Sequence, residues 1–383
     1  MAQTLSTRQN LHRMFYYLTL LYEDKKYPHL KAVYQFILKQ EGNTHHFYLV
    51  INGSRIQFKE GVHPEPDITL SAPAGYFFKI LSNRANPVLG LLLKKYSFTG
   101  RFDLLPLLKK LFNIGKYNPH IQKINENLEP HELLRNTSWK KPEQVLVIHA
   151  SPSRRTGLTF HYLQSLVQGM RKAGAQSRII DLYDPKIRIE PCTGCFQCWT
   201  RTGGKCVIKD DAYAITEKIK KSYLTLYTMS LYVDSMPAKL KSLLERKFTW
   251  LLPVFSVHTK ITRHPLRFSK ERYMALFMIN GFPEKEHFKP LVDTFRDAAR
   301  NFHTPIRAVL LRPGATFLYQ VPLYYDCYLK VLSSLEQAGW ELVQKGSVSK
   351  KTVDAVADNF RIPRQIWCDY ANMFFYIKSR HKE

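Results

Sequence analysis

Apolar positions along this chain follow two rhythms, and the point where the rhythm changes divides it. From Leu11 to Leu38 they fall at helical spacing. The patch Met14–Tyr22 reads as one side of a helix. It is short, contains Thr19 and lacks the small-residue cleavage site of a secretory leader. His46–Ile51 and Arg55–Phe58 flank Asn52-Gly53, the signature of a β-hairpin, and Asp67–Leu70 supplies a third strand. Helical patterns follow at Ala74–Ser82, Pro87–Lys95 and Leu104–Phe112. Together these predict an α+β domain over residues 1–125.

Residues 113–142 lose periodicity and are rich in Asn, Pro, Lys and Glu, which places a linker at 126–142. From Val145 the pattern becomes strand–helix alternation. Strands are predicted at Val145–Ile148, Arg178–Leu182, Leu224–Tyr227, Met274–Ile279 and Ile306–Leu311. Helices are predicted at Thr159–Lys172, from a cap at Asp210 to Lys221, and at Phe288–Asn301. Short apolar strands separated by helices specify a doubly wound parallel sheet, here over 143–345, with a helical extension at 346–383.

Composition changes the picture in two places. The chain of 383 residues carries a net charge of +26, divided as +8 up to Ser138 and +18 after it. No basic block is long enough to be a nucleic-acid tail, so no nucleic-acid partner is expected. The charge fits a solvated cytoplasmic surface, peripheral contact with acidic membranes, or phosphorylated cofactors. Four of the six cysteines crowd between Cys192 and Cys206 with the spacing C-x2-C-x2-C-x7-C. In a long chain without a secretory signal, ligation suits this crowding better than disulfides. Cys192, Cys195, Cys198 and Cys206 could hold a 4Fe–4S cluster, a zinc ion or no metal.

In open parallel sheets, ligands bind beyond the carboxyl ends of the strands. The loop after the first such strand, Ala150–Thr159, holds four hydroxyls, a glycine and two arginines, and it opens a helix. Backbone N–H groups, hydroxyls and the positive helix end can there surround a phosphate. It matches neither the P-loop nor the G-x-G-x-x-G fingerprint. Tyr227–Pro237 follows the third strand and Asn280–Pro283 the fourth. A phosphate cradle, a backbone segment bearing Met and Tyr, and a turn with Gly281 and Phe282 together suit a planar aromatic ligand with one phosphate. Flavin mononucleotide (FMN) meets that description.

Two resemblances sharpen this reading. Phe47–Gly53, Lys59-Glu-Gly61, Pro66–Leu70, Asn86-Pro87 and Gly100–Asp103 occur in the order found in sterol carrier protein domains, over most of residues 20–112. That resemblance implies a sheet covered by helices around an apolar tunnel for sterols or fatty acyl chains. Residues 143–345 resemble the flavodoxin-like NAD(P)H-dependent FMN reductases, including the iron–sulfur flavoproteins. The residues that carry it are Ser151-Pro152, Gly157, Thr159, Pro191–Cys198 with Cys206, Asp210-Asp211, Leu231–Pro237, Lys241 and Glu245-Arg246.

The reductase resemblance implies phosphate contacts from Ser151, Ser153, Gly157, Leu158 and Thr159. It implies flavin-ring contacts from Ser230, Leu231, Tyr232, Val233 and Asp234, and from Asn280, Gly281 and Phe282. The chain departs from the family pattern at Ala150, Ser153, Leu158, Ser230 and Glu245, and Arg154 or Arg155 could compensate for the phosphate hydrogen bond lost at Leu158. No protein side chain need be catalytic, because the flavin carries the chemistry. The implied activity is an FMN-dependent NAD(P)H oxidoreductase, expected as a homodimer, acting on an apolar or quinone-like acceptor. The lipid-binding domain could present that acceptor. Two alternatives stay open: an iron–sulfur flavoprotein electron carrier, and a non-enzymatic lipid-binding protein whose flavodoxin-like domain has lost its ligand.

Overall fold

The computed structural model describes residues 7–23, 26–40, 42–81, 85–112, 138–255, 262–268 and 270–380. Most of the segment read as a linker lies outside the described residues. The chain divides into two units, Met1–Glu129 and Pro130–Glu383.

The first unit runs α1 (Thr7–Leu20), β1 (Lys31–Gln40), β2 (Asn43–Asn52), β3 (Arg55–Glu60), β4 (Ile68–Pro73), α2 (Ala74–Leu81), α3 (Pro87–Leu92), β5 (Ser97–Gly100) and α4 (Leu104–Lys110). Its sheet has the order β3-β2-β1-β4-β5, with β1 and β4 parallel and the other pairs antiparallel. The hairpin lies where the Asn-Gly signal puts it, Asn52 pairing with Arg55. α1 buries Leu11, Phe15 and Leu18 at helical spacing. The helical reading does not extend to Leu38. Lys31–Gln40 is the central strand, and Ala32, Tyr34, Phe36 and Leu38 alternate into the core. Aromatic residues spaced by two satisfy a strand that is paired on both edges, and this overrides a helical count begun further upstream. The short β5 went unread because only one of its four residues is even partly buried.

The second unit runs β6 (Gln144–Ala150), α5 (Leu158–Lys172), β7 (Gln176–Asp181), α6 (Gln197–Thr200), α7 (Ala212–Lys221), β8 (Leu224–Ser230), α8 (Ala238–Glu245) and β9 (Tyr273–Ile279). It continues with α9 (Lys289–Asn301), β10 (Ile306–Arg312), α10 (Ala315–Gln320), α11 (Tyr325–Lys345), α12 (Lys350–Val356) and α13 (Arg364–Arg380). The sheet order is β10-β9-β8-β6-β7 and every pair is parallel. Renumbered within the unit this is 2-1-3-4-5, the flavodoxin-like order, whose switch point lies between its first and third strands. Two apolar cores flank the sheet, one beneath α5 and α11 and the other beneath α7, α8 and α9. α5 and α11 pack backbone to backbone. A Cβ on Gly169 would strike the Glu336 carbonyl, and one on Gly339 the Leu166 carbonyl. Val356 and Trp367 from the last helices complete the α5 side. No helix among the described residues is long and apolar enough to cross a membrane.

Candidate functional site

The switch point sets the site. β6 ends His149-Ala150, and the chain then turns through Ser151, a one-turn 3-10 helix at Arg154–Thr156 and Gly157 into α5. Ser151, Gly157 and Thr159 are buried, Leu158 is half-buried and Ser153 is exposed. Gly157 is needed here, since a Cβ would collide with that of Ser153. No side chain caps α5, so its first N–H groups lie unclaimed by any cap at the positive end of a fifteen-residue helix. Arg155 lies over the Phe160 ring at 5.8 Å.

His149 and Thr228 are register partners across β6 and β8. His149 Nε2 stands 3.2 Å from the Arg154 carbonyl, which ties the strand to the loop. Burial holds its pKa below the ordinary histidine value. Four side chains at this sheet edge keep buried polar atoms without a hydrogen-bond partner in the protein: His149 Nδ1, Thr228 Oγ1, Ser230 Oγ, and both Oδ1 and Nδ2 of Asn280. Such atoms are costly to bury unmet. They sit at the carboxyl ends of β6, β8 and β9.

Beyond β8, Leu231 N–H bonds the Ile279 carbonyl, and Tyr232–Ser235 forms a tight turn closed in both directions at 3.1 and 3.0 Å. Val233 and Asp234 both take φ +50°. For β-branched Val233, wholly exposed at the tip, this is a strained conformation of the kind found at ligand-binding loops. Asp234 Oδ1 lies 3.1 Å from His287 Nδ1, and His287 stacks on Phe282 at 4.5 Å. The turn after β8 is thereby joined to Asn280–Phe282 after β9. Gly281 and Phe282 are exposed, and Asn280 is buried. The structure thus brings the three expected loops to one edge. His149, Thr228 and His287 were not singled out from sequence. The available signal was a polar residue near the carboxyl end of an otherwise apolar strand, as in Val-Leu-Val-Ile-His-Ala and Leu-Tyr-Thr-Met-Ser.

The cysteine loop is gathered at its base by one buried ion pair. Arg246 grips Asp210 through two bonds of 2.7 and 2.9 Å, and it also donates to the carbonyls of Glu190 and Ile208. Asp210 further accepts from the N–H groups of Glu190 and Ala212. Asp210 is therefore more than a helix cap. All four thiols are free. Burial raises the Cys198 pKa, and so do the neighbouring thiols Cys206, Cys192 and Cys195. The Gln197 N–H and the Thr193 hydroxyl lower that of Cys195. Among the described residues, no group of three or more His, Cys, Asp or Glu is disposed to hold a metal ion.

The first unit has its own cavity, of about 470 Å³, lined by Leu70 and Ala72 of β4, Phe77 and Ile80 of α2, Val88 and Leu91 of α3, and residues of α4. Its lining is apolar throughout except for the Tyr96 hydroxyl.

Comparison with known proteins gives matching assignments. The model of the flavodoxin-like fold family matches residues 143–318, and that of the SCP-2 sterol transfer family matches residues 22–113. A curated iron-sulfur flavoprotein of Archaeoglobus fulgidus is 29% identical over 103 residues, which is 27% of this chain and 48% of that protein. The chain thus spans about half the length of the curated relative it matches. Among solved structures, an NAD(P)H:quinone oxidoreductase from Methanothermobacter marburgensis is 18% identical, covering 52% of this chain and 99% of its own at a TM-score of 0.39. Sterol carrier protein 2 like 2 from Aedes aegypti is 15% identical, covering 27% and 98% at 0.24. The chain carries an SCP-2 sterol transfer domain over residues 22–113 and a flavodoxin-like domain over residues 143–318.

Proposed function

We propose that the C-terminal unit binds FMN and acts as an NAD(P)H-dependent oxidoreductase on an apolar or quinone-like acceptor, while the N-terminal unit carries an apolar ligand. The observation that carries this reading is the set of unmet buried polar atoms on His149, Thr228, Ser230 and Asn280 at the carboxyl ends of β6, β8 and β9. Ser151, Thr159 and the first N–H groups of α5 would hold the phosphate. The backbone from Ser230 to Asp234 and from Asn280 to Phe282 would border the ring. The Asn280 amide offers a donor and an acceptor together, which suits a ring edge of alternating N–H and C=O groups. FMN, when bound, supplies hydride acceptance from the nicotinamide and electron delivery to the acceptor. The residues at this edge orient the ligand, and the turn at Val233-Asp234, pinned by His287, shapes its mouth.

The N-terminal unit fits lipid carriage because its cavity is lined by apolar side chains. Beside it, α3 and the turn after it expose Val88, Leu89, Leu92 and Leu93, each more than half accessible. Apolar residues exposed together mark an interaction surface. Here they suit contact with a bilayer from which the ligand is drawn.

The test of the flavin reading is titration of purified protein with FMN, followed by NAD(P)H oxidation with a quinone acceptor. Tight one-to-one binding with acceptor-dependent turnover supports it. Failure to bind FMN at millimolar concentration overturns it.

A second reading concerns the cysteine loop. The C-x2-C-x2-C-x7-C spacing of Cys192, Cys195, Cys198 and Cys206 supports a 4Fe–4S cluster and, with it, an electron-carrier role. Iron analysis of protein purified without air decides between the readings. About four irons per chain favours the cluster, and an iron-free flavoprotein leaves the thiols structural.

A further inference from the structure

Helix α13 is apolar on two sides, and its own unit accounts for one of them. Trp367, Tyr370 and Phe374, spaced by three and then four residues, form an inner stripe. Trp367 is buried, and Tyr370 and Phe374 are half-buried. The rings of Trp367 and Tyr370 lie 4.2 and 5.4 Å from that of Phe317 in α10. Arg364 ties the start of the helix to Glu284 at 2.7 Å. A surface helix held in this way ordinarily turns a polar face to water.

The other side of α13 is not polar throughout. Ile366, Met373 and Tyr376 are 39%, 51% and 57% exposed. With the exposed Asp369 they form a second stripe whose steps of three, four and three are continued by one of four to Arg380. That is the seam of a coiled coil over two heptads, at a helix surface open to solvent. The stripe is complementary to itself in reverse. In an antiparallel pair centred between residues 374 and 375, Met373 comes opposite the partner's Tyr376, and Asp369 comes opposite the partner's Arg380. Apolar contacts then fill the centre, with opposite charges at both ends. A parallel pair would instead set Asp369 against Asp369 and Arg380 against Arg380, which repel.

We propose that α13 is a self-association helix, through which a second copy of this chain pairs antiparallel about a two-fold axis. Met373 and Tyr376 form its centre, and Asp369 and Arg380 set its register. This surface lies beyond the residues that match the flavodoxin-like family, and the pairing is independent of any flavin or lipid ligand. A single helix pair is a small interface, so the association is weak, of micromolar order.

The experiment is sedimentation velocity of the full chain from roughly 1 to 200 µM, which brackets a micromolar dissociation constant. Reductant is kept present because Cys368 is exposed. The expected result is a mass above that of one chain at the upper concentrations, halved by Met373→Glu with Tyr376→Glu. Because both positions are exposed, the Tm of that variant stays within about 2 °C of the parent. Asp369→Arg weakens association by roughly tenfold, since two exposed pairs turn from attraction to repulsion, and adding Arg380→Asp restores it. Phe375→Ser, an exposed apolar position off the stripe, leaves it unchanged. A chain that sediments as a monomer throughout overturns the proposal. So does a mass that survives Met373→Glu with Tyr376→Glu, or an Asp369→Arg defect that Arg380→Asp does not repair.

Discussion

Replacing Asp210 by Asn separates two accounts of this residue that differ several-fold in energy. If Asp210 serves as a helix cap for α7, Asn serves equally well and stability is unchanged, because the two residues rank together at that position. The structure instead gives Asp210 and Arg246 side chains that are 0% and 1% exposed, joined by two short bonds. Removing the charge of one partner leaves a buried guanidinium uncompensated, which costs about 3–5 kcal/mol. The retained amide oxygen keeps one acceptor, so the expected loss lies at the lower end, about 3 kcal/mol. In a unit of this size that corresponds to a fall in Tm of roughly 6–12 °C. The assay is urea unfolding followed by tryptophan fluorescence. All five tryptophans, at 139, 199, 250, 340 and 367, lie in the C-terminal unit, so the signal reports that unit alone. Because Arg246 also holds the carbonyls of Glu190 and Ile208, the variant should expose the four loop thiols to faster modification by a disulfide reagent. The paired change Asp210→Leu with Arg246→Met should recover much of the stability. An Asp210→Asn midpoint within about 1 kcal/mol of the parent would refute the reasoning and return Asp210 to a capping role.

Three further outcomes can be checked independently. Burial, with a further push from Arg272, brings the Lys247 pKa down to about 7, so the folded chain holds this amine neutral between about 7 and 10.5 while the unfolded chain protonates it. Its contribution to stability therefore rises with pH across that window, by up to roughly 1.4 kcal/mol per unit. Lys247→Met should flatten the rise in Tm between pH 7 and 9, and parallel profiles would contradict the burial argument. Asn280→Ala should weaken FMN binding by roughly 5- to 150-fold, the effect of about 1–3 kcal/mol, as read by quenching of flavin fluorescence, and unchanged affinity would remove Asn280 from the site. Leu89→Ser with Leu92→Ser, both on the exposed face of α3, should abolish co-sedimentation with vesicles while leaving laurate binding intact. Undiminished sedimentation would assign membrane contact elsewhere.

The sheet of the C-terminal unit was legible because its strands are short, apolar and bounded by helices with ordinary periodicity. β6, β8 and β9 bury nearly every residue, so no competing rhythm exists. In the N-terminal unit, α1 and β1 follow each other closely, and one continuous apolar spacing hid the change from helix to strand. Local pattern also could not locate partners distant in sequence. Arg246 is 36 residues from Asp210, and nothing near either residue announces the pair. The loops that meet at the switch point were readable because topology alone brings strand ends together. The buried atoms that give the edge its chemistry, His149 Nδ1 and Thr228 Oγ1, emerge only once the register of β6 against β8 is known.

Charge supplied the least reliable inference, and the reason is physical. A net charge of +26 reads as a solvated surface, yet Lys247, Arg272 and Arg312 are at most 3% exposed. Lys247 donates to the Tyr227 hydroxyl at 2.8 Å and lies over the rings of Tyr227, Trp250 and Phe302. Arg272 lies over Trp250 and Phe268. These buried basic groups are met by aromatic faces and oxygen dipoles in place of carboxylates, a pairing that composition cannot show. Arg312 carries the idea to the site itself. Its guanidinium donates to the carbonyls of Pro313, Val356 and Asp358 and to the Asn359 side chain. Its own carbonyl accepts the Asn280 N–H, and Asn359 in turn donates to the Pro283 carbonyl. The loop after β9, which contributes Asn280, Gly281 and Phe282 to the candidate flavin edge, is thus braced by residues 356–359. Those residues lie beyond the stretch that matches the flavodoxin-like family. The C-terminal helices therefore belong to the architecture of the site, and a shorter chain ending at residue 345 would lose the brace on the loop that carries its Asn280 amide.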